Sequence, residues 1–175
     1  MKKFLGKVCF ILIGAALGVA MALLMDPFVP GALDLPGLSF AGIWAGALVW
    51  MYVVIYLSIP LHEAGHLVCG LLTGYEFVSF RVGKTIWTKR DGKLVRGRCQ
   101  VAGTGGQCLM TPPGAPDKSF PYALYNLGGA LANGLAAVLL WAAALAVNGI
   151  PGLMCAIAAV TSLAVALMNL LPFPG

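Results

Sequence analysis

Four stretches of this chain, 4–25, 40–73, 121–147 and 153–171, are long, apolar and nearly free of charge. A hydrocarbon core of about 30 Å takes roughly 20 apolar residues to cross as a helix, so each stretch has the length of a membrane span. Composition agrees, with 60% hydrophobic residues, 10% charged residues and a mean hydropathy of +0.91. Soluble domains carry about 25% charged residues. The expected fold class is therefore an all-α polytopic membrane protein of about four transmembrane helices. Residues 1–175 read as a single membrane-embedded domain, with a small cytoplasmic β-hairpin region at 75–120 between the second and third helices.

The net charge of +5 does not point to nucleic acid, because of where the charges lie. Lys2, Lys3 and Lys7 stand at the start, and the other eight basic residues fall between Arg81 and Lys118. Loops rich in Lys and Arg stay on the cytoplasmic side. The 26–39 segment holds Asp26 and Asp34 but no Lys or Arg, and reads as an outer loop. Four crossings then place both termini in the cytoplasm of a multi-pass protein of the cell membrane. The first apolar run is longer than the ~7–15 residues of a signal-peptide core, which favours an uncleaved anchor. The basic loop is expected to be a solvated face beside anionic lipid. Oligomeric state is left open.

Within 75–120, Asp91-Gly92 separates two β-prone runs, a hairpin signal. Gly103–Gly106 and Pro112–Gly114 read as loop, and the glycine run lacks the spacing of a phosphate loop. The cysteines Cys9, Cys69, Cys99, Cys108 and Cys155 form no C-x-x-C pair. The second apolar segment holds Pro60, where a break is expected.

That segment also carries His62-Glu63-Ala64-Gly65-His66, with the only two histidines of the chain. Ionisable groups inside lipid are expensive and mark function. Residues four apart share a helix face, so His62 and His66 can reach one zinc ion (Zn2+), with Glu63 beside them as general base and acid. The competing reading is a pair of histidines hydrogen-bonded between helices. Cys69 lies three residues on, either as a further ligand or, as preferred here, as a small packing residue.

His62, Glu63 and His66, followed by Asn169, Pro172, Pro174 and Gly175 at the end of a later span, resemble the site-2 protease family of intramembrane zinc metalloproteases. The family's motifs are H-E-x-x-H and N-x-x-P-x-P-x-L-D-G, and Gly129 to Asn133 echo its Gly-Pro-x-x-Asn element with Ala130 in place of proline. The resemblance implies cleavage of a transmembrane protein or peptide within the lipid bilayer. It implies that Asn169 positions the scissile carbonyl or stabilises its oxyanion, and that Asn133 supports substrate or helix packing. An interhelical hydrogen bond is the alternative for each asparagine. The family's third zinc ligand is the Asp of the second motif, which would fall two positions past Gly175; a motif broken in mid-pattern favours a chain that continues. A catalytically inactive membrane binding protein, a pseudoprotease, is the alternative function. A small transporter is disfavoured, since polar residues are too few outside the motif.

Overall fold

The computed structural model describes residues 19, 23, 26–28, 40–101, 104–114 and 122–171. Three long helices dominate them: α1 (Phe40–Leu72), α2 (Tyr122–Ala146) and α3 (Gly149–Leu170). Between α1 and α2 stand four strands, β1 (Glu76–Val82), β2 (Thr85–Arg90), β3 (Lys93–Arg98) and β4 (Gly106–Thr111). The expectation of an all-α fold with about four spans and a small hairpin is overturned. The described residues contain three helices long and apolar enough to cross a membrane, and one antiparallel sheet of order β3-β2-β1-β4. The expected span at 4–25 lies outside the described residues, apart from Val19 and Leu23, which are helical.

The helices form because uninterrupted Ala, Leu, Val and Gly leave the backbone no other way to satisfy its polar groups in an apolar medium. α1 and α2 keep close to their expected bounds. α3 starts at Gly149, earlier than the expected 153. Pro151 fits there because the first turn of a helix needs no backbone donors. The expected break at Pro60 is also absent, and α1 runs as one helix through it.

α3 meets α1 and α2 through a cluster of Ala144, Leu153, Ala156, Ile157 and Val160, against which Trp50 and Trp141 pack. The Trp50 indole N–H donates to the Met154 carbonyl at 2.9 Å, tying α1 to α3. At ~1.5 Å per residue α1 is about 50 Å long, well beyond a ~30 Å hydrocarbon core. Its C-terminal third carries the sheet.

β4 lies along that third. Gly106 meets Glu63 and Ile59, and Met110 meets Gly70. The four strand steps from Gly106 to Met110, at ~3.3 Å each, come to about 13 Å, between the roughly 10 Å from Glu63 to Gly70 and the roughly 17 Å from Ile59 to Gly70 at ~1.5 Å per helical residue, so strand and helix keep pace. Side chains alternate along a strand, so Gly106, Cys108 and Met110 all turn inward. Cys108 and Met110 are buried accordingly, with Tyr75, Leu67, Phe77 and Phe80 around them. The Asp91-Gly92 signal is met by a two-residue turn between β2 and β3, with φ of 49° and 74°. Two positive φ values in succession are those of a type I′ hairpin turn.

β1 and β4 were the strands the hairpin reading left out of the sheet. β4 lies partly in the glycine-rich stretch read as loop, and its sequence GQCLMT has a single β-branched residue. Pairing with β1 from Glu76↔Thr111 to Val82↔Gly106, and packing on α1, hold it extended where propensity alone would not.

Candidate metal centre and cleft

His62, Glu63 and His66 sit on adjacent turns of α1, half-buried. The two imidazoles face each other edge-on, ring centroids 4.8 Å apart, and their Nε2 atoms are 3.1 Å apart. Two nitrogens each about 2.0–2.1 Å from one tetrahedral zinc would be separated by roughly 3.3 Å. The pair therefore fits two of the three protein ligands of a catalytic zinc site. Among the described residues, no third His, Cys, Asp or Glu completes a metal-holding group.

α2 supplies the wall behind the histidines. Gly65 of α1 and Gly128 of α2 pack backbone to backbone, and a Cβ on Gly65 would overlap the Gly128 carbonyl. That approach needs small residues on both helices. It puts Tyr125, Gly129 and Asn133, each four residues after the last, against the site. The His66 Nδ1 lies 2.7 Å from the Tyr125 carbonyl. A carbonyl only accepts, so Nδ1 carries the proton and Nε2 keeps its lone pair, the tautomer a metal ligand requires. Gly129 makes room for His62: a Cβ there would overlap the imidazole ring. Asn133 is fully buried, and its Nδ2 is 3.3 Å from His62 Nδ1.

Tyr125 is the residue that sequence reasoning missed most completely. Its ring stacks on Tyr75 with centroids 4.5 Å apart, and its hydroxyl donates to the Cys108 carbonyl at 2.9 Å. One side chain thus anchors β4 while its own backbone orients His66. No motif signals this, because the contact to His66 is made by a carbonyl that every residue possesses.

The opposite wall is open. A cleft of about 290 Å³ is lined by His62 and Glu63, by Thr104, Gly105 and Gly106, and by Val165 and Asn169 of α3. His62 and Glu63 of α1 thus share one cleft with Asn169 of α3, while His66 does not line it. Asn169 is exposed, and its amide donates to the Val165 carbonyl of its own helix at 2.8 Å. Pro172, Pro174 and Gly175 lie outside the described residues. Cys69 packs near Gly128 at the helix crossing, in keeping with a packing role. Burial, and then the Glu63 carboxylate, push the Cys108 thiol up to about 11, so it stays protonated at neutral pH.

The 104–106 segment that faces Glu63 is held from behind by Arg81, which is 1% exposed. Its guanidinium donates to the carbonyls of Gly83 at 2.9 Å, Thr104 at 3.3 Å and Gly106 at 3.1 Å, and to the Thr104 hydroxyl. Irregular backbone beside a membrane helix needs its polar groups satisfied, and Arg81 supplies those donors. The basic-loop reading had placed this arginine on a solvated face; it is buried instead.

The model of peptidase family M50 matches residues 50–155, more than half of the chain, and includes His62, Glu63, His66 and Asn133. No curated protein and no solved structure gives a significant match.

Proposed function

The chain belongs to peptidase family M50, the site-2 protease family, and from that premise we propose an intramembrane zinc endopeptidase whose metal is held by His62 and His66. The observation that carries the proposal is the 3.1 Å separation of the two Nε2 atoms, with His62 and Glu63 lining one cleft. A zinc ion there supplies Lewis acidity toward a peptide carbonyl and makes water acidic enough to deprotonate near neutral pH. Glu63 takes the proton from that water and returns it to the departing amine. The chain's own walls divide the remaining work. α2 holds the imidazoles, and the 104–106 segment confines Glu63 on the side of the cleft. A substrate helix has its backbone bonds made internally, so it must unwind to present a carbonyl. The cleft between α1 and α3 is where an unwound segment would lie, with Asn169 able to donate to the developing oxyanion once released from Val165.

Helices long and apolar enough to span a bilayer and family membership make this a membrane protein; the proposal sets the cleft toward the cytoplasmic side of a cell membrane, a reading the positive loop supports. No observation favours a non-enzymatic binder. The test is Glu63→Gln in the purified protein. Cleavage of a transmembrane peptide should fall by about 10²–10⁴-fold, the contribution of general acid–base catalysis, while bound zinc is retained. Unchanged cleavage by that variant, or a parent protein that takes up no zinc, would overturn the reading.

A further inference from the structure

The Tyr125 carbonyl fixes the tautomer of His66; His62 has the Gly129 backbone as one hydrogen-bond partner, and its side-chain partner, Asn133, faces the wrong way for a ligand. Asn133 presents Nδ2 to His62 Nδ1 at 3.3 Å, while its Oδ1 is buried without a hydrogen-bond partner. An amide nitrogen only donates, so this orientation makes Nδ1 an acceptor and puts the proton of a neutral ring on Nε2. A protonated Nε2 has no lone pair for a metal. The oxygen and nitrogen of a carboxamide occupy interchangeable positions, and hydrogen-bond chemistry decides which is which. Half a turn of the amide brings Oδ1 to the His62 ring without moving any other atom.

We propose that Asn133 is the positioning residue of His62: its amide oxygen accepts the Nδ1 proton and so commits Nε2 to the metal. This rests on the metalloprotease reading above. Three observations carry it. Asn133 is 0% exposed, and an amide that merely filled space would carry a desolvation cost that a leucine would not. Its one hydrogen-bond contact is to the atom whose protonation sets the tautomer of His62. And it repeats, eight residues along α2, what the Tyr125 carbonyl does for His66, with Gly129 between them giving the His62 ring its place. α2 then orients both ligands from a single face, one through its backbone and one through a side chain.

The experiment compares Asn133→Asp and Asn133→Leu in the full chain, reading zinc affinity by competition with a chelator and folding by thermal unfolding. Loss of an outer partner of a metal-bound histidine typically weakens the metal by about 10–100-fold. Asn133→Leu should show that loss, and Asn133→Asp, which keeps an acceptor oxygen, should stay within a few-fold of the parent. A packing role predicts the reverse, since leucine fills the space and a buried carboxylate disrupts it. Equal zinc affinity of Asn133→Leu and parent, or equal loss in both variants, overturns the proposal. Should a variant fail to fold, nitrogen NMR of the unsubstituted protein with cadmium decides. Metal on Nε2 and a protected proton on Nδ1 of His62 are expected; metal on Nδ1, or a freely exchanging Nδ1 proton, overturns it. A parent that binds neither ion brings down the protease reading as well, whereas zinc held equally by parent and Asn133→Leu removes only the role of Asn133.

Discussion

β3 and β4 are the two edge strands of one sheet, and they differ in almost everything else. Every residue of β3 is exposed, while β4 buries alternate residues against α1 and begins with a glycine pressed on Glu63. Their sequences give opposite impressions. The β2–β3 hairpin announces itself through Asp91-Gly92, a turn written in local chemistry. β4 has no such mark, because what holds it is non-local: pairing to β1, the Tyr125 hydroxyl on Cys108 and the notch at Gly70 that admits Met110. A strand stabilised by its own turn can stand away from the rest of the protein. A strand stabilised by the helices is positioned by them, and so can position a catalytic group in return.

The sharpest way to break the comparison is Gly106→Val. A Cβ at this position would lie 2.6 Å from Cγ and 2.8 Å from Oε1 of Glu63. The Glu63 side chain is flexible, so the carboxylate moves, and Ile59, whose Cγ2 would lie 2.9 Å away, must give as well. Displacing a catalytic group by about 1 Å costs on the order of 10²-fold. Cleavage of a transmembrane peptide should fall by that factor while zinc stays bound. Full activity in Gly106→Val would mean that β4 does not confine the base at all.

A smaller effect is expected one layer back, at Arg81→Met. The methionine fills part of the volume but strips the donors from the carbonyls of Gly83, Thr104 and Gly106. Buried acceptors left unsatisfied cost about 1–3 kcal/mol. The 104–106 segment should become accessible to hydrogen exchange, and a loosening worth ~1.4 kcal/mol at the transition state would slow cleavage about tenfold. Unaltered exchange in this segment would show that the arginine is not what holds the inner end of β4.

The same contrast explains what the sequence disclosed. That His62, Glu63 and His66 lie side by side was legible because residues four apart on a helix share a face, and α1 and α2 because a membrane permits few backbone solutions. Asn133 was found by resemblance, but its contact with His62 depends on a helix crossing set by Gly65 and Gly128. Glycine at a crossing looks the same in sequence as glycine anywhere else. Arg81 was assigned to a solvated face because charge in a loop normally is; its burial follows from backbone that folds back along α1 and needs donors there. The all-α reading failed for a related reason. It treated 75–120 as the connection between helices, whereas β1 and β4 form part of the packing against them.

The smallest effect should come from the sheet's other edge. β3 is exposed along its whole length, the kind of edge to which an unwound substrate could add a strand. In the folded protein β1 and β2 lie between that outer edge and β4, and adjacent strands are about 4.8 Å apart, so it stands some 14 Å from the strand that touches Glu63. Shortening the hairpin symmetrically by the pair Lys89↔Leu94, with the Asp91-Gly92 turn kept, removes exposed residues and no contact described at the site. Exposed substitutions usually stay within ±0.5 kcal/mol, so cleavage should remain within about twofold of the parent and zinc affinity should not change. A large loss of cleavage with zinc affinity intact would reverse the comparison, since it would assign substrate capture to β3 and leave β4 as scaffold. Equal losses of cleavage and zinc would instead mean that the sheet transmits strain across its full width to α1, and that the two edges are not independent.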